Sequence, residues 1–267
     1  MTFLYNAAVR LRVDLSPKDH TYPDLVVVVD VFSGSVVSLL LSRGAREVWV
    51  APSLRSARLL AEPGDVLLGE QEGIPPEGFH RGLSLKDLDS ADMRGLRCII
   101  HAPSLSKALA FQAPRTVLGQ FRNTKALLAA IPRLAREEVA LVCAAENPGD
   151  PQPAGPGEPS QANMLAAGFL AKRLEQTLPL TAIQGATLAT HLLSAFPDPQ
   201  EALFGSREGQ HLHRMGRDED IALASLIGFD PVVPLLQETR ILEASRYGLS
   251  KDRTAYAFTA LEGGDEA

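Results

Sequence analysis

The chain has 267 residues, enough for one large α/β domain or two small lobes. Its net charge is −6 at pH 7 and no basic stripe interrupts it, which argues against nucleic acid and anionic membrane as partners. A hydrophobic content of 45% is ordinary for a soluble globular protein and sufficient for a sizeable core.

In chain order, the first residues lack the long apolar stretch of a signal peptide, so a cytoplasmic protein is expected. Ala8 to Leu15 alternates apolar and polar, as a half-exposed strand does. Leu25 to Asp30 is a valine run that reads as a buried parallel strand ending in a carboxylate. Ser33-Gly34-Ser35 reads as a turn, and Val36 to Arg43 as a helix stopped by Gly44. Glu47 to Ala51 is a strand, Ser53 to Ala61 a capped helix, and Asp65 to Leu68 a strand. A Gly/Pro-rich loop follows to Gly82. Arg97 to His101 is a strand, Ser104 to Phe111 a helix, Val117 to Phe121 short and extended. Asn123 to Ala135 is a helix and Glu138 to Cys143 a strand. Gln161 to Leu193 reads as helix broken at Pro179, and Gln200 to Leu226 as two short helices divided at Gly216-Arg217. Val232 to Leu236 and Thr239 to Leu242 read as a terminal strand and turn.

Strands alternating with helices predict a three-layer α/β/α fold around a mostly parallel sheet. The expected organisation is a single unit, with lobes 1–115 and 116–267 as a finer division. The segment 147–160 holds five prolines and cannot pack as regular structure. It leaves a strand end, so it reads either as a solvated loop or as a lid. Cys98 and Cys143 sit in apolar runs and read as reduced core residues, and no Cys/His spacing suits a metal.

Three strand ends carry chemistry. At the first, Asp30 precedes Ser33, Gly34 and Ser35, a pattern that serves either an anion and metal site or a simple helix cap. At the second, Glu70 and Glu72 offer oxygen ligands for Mg²⁺, and His80 follows. At the third, His101 precedes Ser104 and Ser106, whose helix start suits phosphate oxygens. His80 or His101 can act as acid or base at neutral pH. Asp218 to Asp220 favour a helix N-terminus, which suffices to explain them.

The ordered segments VVVVDVFSGSVV, LLGEQEGIPPEGFHRGLSL, VALVCAAE and GSREGQHLHRMGRDEDIALASLIGFDPVVPLL resemble those of the 2-phosphosulfolactate phosphatase family. The resemblance spans nearly the whole chain. It implies a Mg²⁺-dependent phosphomonoesterase acting on a small anionic metabolite, with a cleft between two related lobes. Asp30 and Glu70 would hold the metal on adjacent strand ends. Asp30, Glu70 and His80 would be catalytic. Ser33, Gly34, Ser35, Ser104, Ser106 and Ser206 would face phosphate. A homo-oligomer is compatible with this reading.

Asp30, Glu70, Gly78-Phe79, Ser206 and Asp220 match the family pattern. The family's arginine after Asp-Val-Leu is here Ser33, an acid is His80, an asparagine is Leu83, and a Thr-Asn-Gly-Thr turn is Pro103 to Ser106. Its Glu-Asp pair falls on Ala162-Asn163. The lost arginine predicts weak turnover of phosphosulfolactate itself. Efficient turnover would require Lys107, Arg81 or Arg122 to supply the charge. The alternative is a member that has lost catalysis and kept the fold for binding or assembly.

Overall fold

The computed structural model describes residues 9–146, 157–196 and 198–261. Twelve strands form in chain order: β1 Val9–Asp14, β2 Leu25–Val29, β3 Glu47–Ala51, β4 Val66–Leu68, β5 Arg97–His101, β6 Arg115–Leu118, β7 Glu138–Cys143, β8 Ala145–Glu146, β9 Glu158–Pro159, β10 Leu180–Ile183, β11 Val233–Leu242 and β12 Arg253–Leu261. Ten of them make one sheet in the order β10-β1-β7-β2-β6-β11-β12-β3-β5-β4. β8 and β9 make a separate two-stranded ribbon.

Two parallel blocks make up the large sheet. One is β10-β1-β7-β2-β6, and the other is β3-β5-β4. The β11–β12 hairpin lies between them and pairs antiparallel with both, through β6 on one side and β3 on the other. The fold is therefore α/β with a mostly parallel central sheet, as expected.

The valine run of β2 is buried at every position, which is why it reads as a continuous apolar stretch rather than an alternating one. Asp24 fixes where β2 begins relative to β7. Its carboxylate accepts backbone N–H bonds from Arg136, Glu137 and Glu138 at 2.5, 2.6 and 3.2 Å. Cys98 and Cys143 are buried and unbridged, as their apolar settings predict. No helix among the described residues is long and apolar enough to cross a membrane.

Several elements differ from expectation. Ser33-Gly34-Ser35 is no turn, because the helix Val31–Ser42 begins directly after Asp30. Pro179 ends one helix, Gln161–Thr177, but the residues after it form β10 before a second helix, Ala186–Leu193. The stretch 200–226 holds three helices, Pro199–Gly205, Arg207–Arg214 and Asp218–Ser225. The expected terminal strand and turn are one strand, β11, with a register shift between Leu236 and Glu238. β12 and the short helix Leu85–Asp89 are additional. Of the proline-rich segment, residues 147–156 lie outside the described residues, and Glu158–Pro159 pairs with Ala145–Glu146.

Candidate active site

Asp30 leaves β2 as the N-cap of the helix Val31–Ser42 and is 4% exposed. Its Oδ1 accepts the Ser33 N–H at 2.9 Å. Asn163, at the start of the helix Gln161–Thr177, takes the Val31 N–H at 2.8 Å and donates to the Ala144 carbonyl at 2.9 Å. The donors that a free helix start would offer an anion are thus engaged by the protein's own side chains. Burial pushes the Asp30 pKa up to about 6, although the N–H groups of Ser33, Gly34 and Phe32 pull the other way.

Glu208, on the helix Arg207–Arg214, lies close enough to Asp30 for their charges to interact. Burial pushes its pKa up to about 8, with the charges of Asp30 and Glu146 adding to it. Ser160 donates to Glu208 Oε2 at 3.3 Å. Gln120 borders the same place. A β-carbon added at Gly34 would lie 3.3 Å from Gln120 Oε1 and 3.8 Å from Asp30 Cβ. Glycine at 34 is what allows that approach. Gln120 is fully buried, donates to the Gly34 carbonyl at 3.2 Å, and its Oε1 has no hydrogen-bond partner.

Glu70 belongs to a different cluster. β2 is the fourth strand of the sheet and β4 the tenth, so Asp30 and Glu70 do not stand on adjacent strand ends, contrary to expectation. The wide spacing arises because the chain crosses the whole seam hairpin between β2 and β3. Glu70 Oε1 accepts the Leu83 N–H at 2.6 Å, and Oε2 accepts from Arg217 at 2.6 Å. Gly82 leaves room for this, since a β-carbon there would come within 2.8 Å of Oε1. Arg217 also bonds Asp220 at 2.6 Å, and Asp220 accepts from the Ser84 hydroxyl and the Lys86 N–H, both at 2.9 Å. Burial opposes the charge on Arg217, and the two carboxylates more than offset that, raising its pKa. Replacing Arg217 by alanine takes the counter-charge from one buried carboxylate, Asp220, and one partly buried carboxylate, Glu70. We expect a loss of about 2 kcal/mol in urea unfolding, with Arg217→Lys recovering only part because lysine lacks the fork.

The remaining expected residues have visible employment. His80 is exposed, and its Nδ1 accepts the Leu67 N–H at 2.9 Å, on the edge strand of the sheet. The Ser35 hydroxyl is buried and bonded to the Val31 carbonyl. Ser106 is buried with its hydroxyl 3.4 Å from the Thr254 carbonyl. Ser206 caps the helix Arg207–Arg214 through Gly209 N–H at 3.0 Å. Ser33 and Ser104 stay partly exposed. The helix Pro103–Ala108, which carries Ser104, packs against Ala145–Glu146 and so borders the Asp30 cluster.

Sequence reasoning missed Glu208, Gln120 and Arg217. Glu208 stands two residues after Ser206, and the only local signal was the matched Gly-Ser-Arg-Glu segment. Nothing local marks Arg217 as the partner of a residue 147 positions away.

Among the described residues, no three His, Cys, Asp or Glu side chains gather closely enough to enclose a metal ion. Mg²⁺ needs only one or two protein carboxylates, with water filling its shell. The donor set of Asp30, Glu208 and the unpartnered Gln120 oxygen fits such an ion. Glu70 lies outside that set, on the far side of the sheet order from Asp30 and with its charge already met by Arg217 at 2.6 Å.

Comparison with known proteins places the chain in a family. The family model described as 2-phosphosulpholactate phosphatase matches residues 11–239. A probable 2-phosphosulfolactate phosphatase of Thermus thermophilus is 32% identical over 234 residues, covering 85% of this chain and 94% of the relative. One of Deinococcus radiodurans is 30% identical over 233 residues, covering 85% and 93%. A third, of Pseudothermotoga lettingae, is 23% identical over 231 residues, covering 85% and 96%. With a family match over most of its length, and Asp30, Glu70, Ser206 and Asp220 all inside it, the chain belongs to the 2-phosphosulfolactate phosphatase family.

Proposed function

We propose that the protein is a Mg²⁺-dependent phosphomonoester hydrolase whose centre is Asp30, acting on a small phosphorylated acid. The observation that carries this reading is the buried Asp30 carboxyl, with its pKa raised to about 6, beside Glu208 and an unpartnered amide oxygen. Carboxyls displaced from their ordinary range by burial and by one another mark sites of chemistry more often than sites of simple packing. Asp30 and Glu208 would hold the ion, and Gln120 Oε1 would complete the protein's share of oxygen donors. What the ion supplies when bound is Lewis-acid polarisation of a phosphoryl oxygen. Asn163 orients the first turn of the helix behind Asp30, and Ser160 holds Glu208 in place. Without the ion, burial holds Glu208 protonated near neutral pH, so taking up the ion would release that proton.

The substrate is expected to differ from phosphosulfolactate. Ser33 stands where the family pattern has arginine, and Arg122, one of the alternative cations named from sequence, is fully buried in an ion pair with Asp230. A second reading, a member that has lost catalysis and serves binding or assembly, is favoured by one observation. Asp30 and Asn163 already occupy N–H donors that an anion would need.

The test is turnover of phospholactate, phosphosulfolactate and an aryl phosphate with Mg²⁺, paired with thermal melts. Mg²⁺ is expected to raise the melting temperature of the wild type by mass action and to leave Asp30→Asn unmoved. Asp30→Asn is also expected to lose turnover. Full activity in Asp30→Asn would place the chemistry elsewhere. Absent turnover and absent Mg²⁺ stabilisation together would establish the non-catalytic reading.

A further inference from the structure

The carboxyl ends of β3, β5 and β4 open onto a cavity of about 790 Å³. That edge of a parallel sheet is where α/β proteins place ligands. Ser53 follows β3, His101 closes β5, Glu70 and Gln71 follow β4, and residues of the 248–253 segment complete the wall. Asp30 does not line it.

The charge of this wall runs against that of the whole protein. Arg55, Arg58 and Arg253 all face the cavity in a chain of net charge −6. Its one carboxylate, Glu70, is held by Arg217 at 2.6 Å. Arg55 donates to the Tyr247 carbonyl at 2.9 Å and Arg58 to the Glu77 carbonyl at 2.8 Å. A guanidinium has five N–H donors, so each retains capacity for an acidic ligand. Arg58 also lies over the Phe79 ring at 5.2 Å, which fixes the plane of its fork. His101 is partly buried, and burial holds its pKa below the ordinary value, so near neutral pH it contributes a hydrogen bond rather than a charge. Leu54 and Leu249 supply apolar wall. The volume lies within the range of about 300–1,000 Å³ typical of organic ligand sites and far exceeds what one inorganic phosphate fills.

We propose that this cavity binds a small organic polyanion, a molecule carrying two or more phosphate or carboxylate groups on a short carbon body, through Arg55, Arg58 and Arg253. The Arg55 and Arg58 forks supply bidentate contacts for two acidic groups, Arg253 adds positive charge to the same wall, and the leucines take the body between them. The site does not depend on the Asp30 chemistry and stands if that chemistry fails.

Calorimetric titration of the full chain with citrate, and separately with pyrophosphate, tests the proposal. Wild type is expected to bind citrate saturably, more tightly than pyrophosphate, and more weakly as salt rises. The Arg55→Gln/Arg253→Gln variant is expected to lose at least tenfold in affinity. Arg55→Gln alone, at an exposed helical position, is expected to lose several-fold and guards against misfolding of the double variant. Asp30→Asn is expected to bind citrate as wild type does. Absence of saturable binding of either probe by wild type overturns the proposal, as does unchanged affinity in a double variant that melts normally. Competitive inhibition of phosphomonoester turnover by citrate at saturating free Mg²⁺, weakened in the Arg55→Gln/Arg253→Gln variant, would make this cavity part of the substrate's site. Non-competitive inhibition, or binding in a chain without turnover, would identify a separate effector. Both outcomes support the pocket.

Discussion

Asp230→Ala is expected to lower the melting temperature by roughly 10 °C, from a loss of about 3–5 kcal/mol. Asp230 is 2% exposed and Arg122 is fully buried. The pair is bidentate, with Arg122 Nε to Oδ2 at 2.9 Å and Nη2 to Oδ1 at 2.7 Å. Arg122 Nη1 donates to the Leu223 carbonyl at 2.9 Å, and the guanidinium lies over Phe229 at 5.2 Å. Removing the aspartate strands a buried cation, which costs far more than the pair contributes when intact. The double variant Arg122→Met/Asp230→Ala should therefore be less destabilised than the sum of the single variants. Thermal and urea melts check both statements. A loss below about 1 kcal/mol in Asp230→Ala would show that Arg122 can reach water or another acid, and would reopen it as a ligand-binding cation.

Glu208→Gln is expected to stabilise the metal-free protein at pH 9 and to leave it unchanged near pH 4. The Glu208 pKa lies at about 8, against 4.5 for an ordinary glutamate. The native state therefore holds a proton that the unfolded chain releases, and stability falls as pH rises between those two values. A fully dry carboxyl would account for ~5 kcal/mol by this linkage. Glu208 is only partly buried, and solvent screening reduces the expected gain to about 2 kcal/mol. In a chain of this size that is a rise in melting temperature of roughly 4–8 °C. Asp30 adds a smaller fall of the same sign, between its unfolded value of 3.8 and about 6. Melts of wild type and variant across pH, in chelator-treated buffer, read the difference. Parallel curves for the two proteins at all pH values would show that Glu208 carries no strained charge.

The sheet was legible in the sequence where strands are buried on both faces. β2, β3, β5 and β7 are nearly or wholly buried, and each is built on a continuous apolar run, with a charged or polar residue only at the ends of β3, β5 and β7. β10 was not legible, because it is an edge strand with two exposed residues among four. β12 was missed for a different reason. Its buried positions include Ala255 and Ala257, whose small side chains give little hydrophobic signal until Tyr256 and Phe258 are seen to be buried as well. β11 divided into two readings at its own register shift, beside Glu238. At the candidate site, Asp30 was legible from its place after a valine run. The small residues after it were read as a turn, whereas Gly34 is small because Gln120 approaches the helix there. Glu208, Gln120 and the arginines of the cavity wall come from distant segments, and no local spacing records that meeting.

The seam hairpin carries a consequence for biosynthesis. β11 and β12 are the last strands of the sheet to be made, yet they sit in its middle. Until residues 233–261 leave the ribosome, β6 and β3 each lack a neighbour on the side where the hairpin will pair. The nascent chain therefore carries two parallel half-sheets with open edges, a state prone to pairing with other chains. Closure must wait until residues 233–261 have been made, so the native sheet cannot form around the earlier strands alone. Chains that terminate before residue 233 should then accumulate as aggregates or chaperone clients, even though they retain Asp30, Glu70, Glu208 and most of the core.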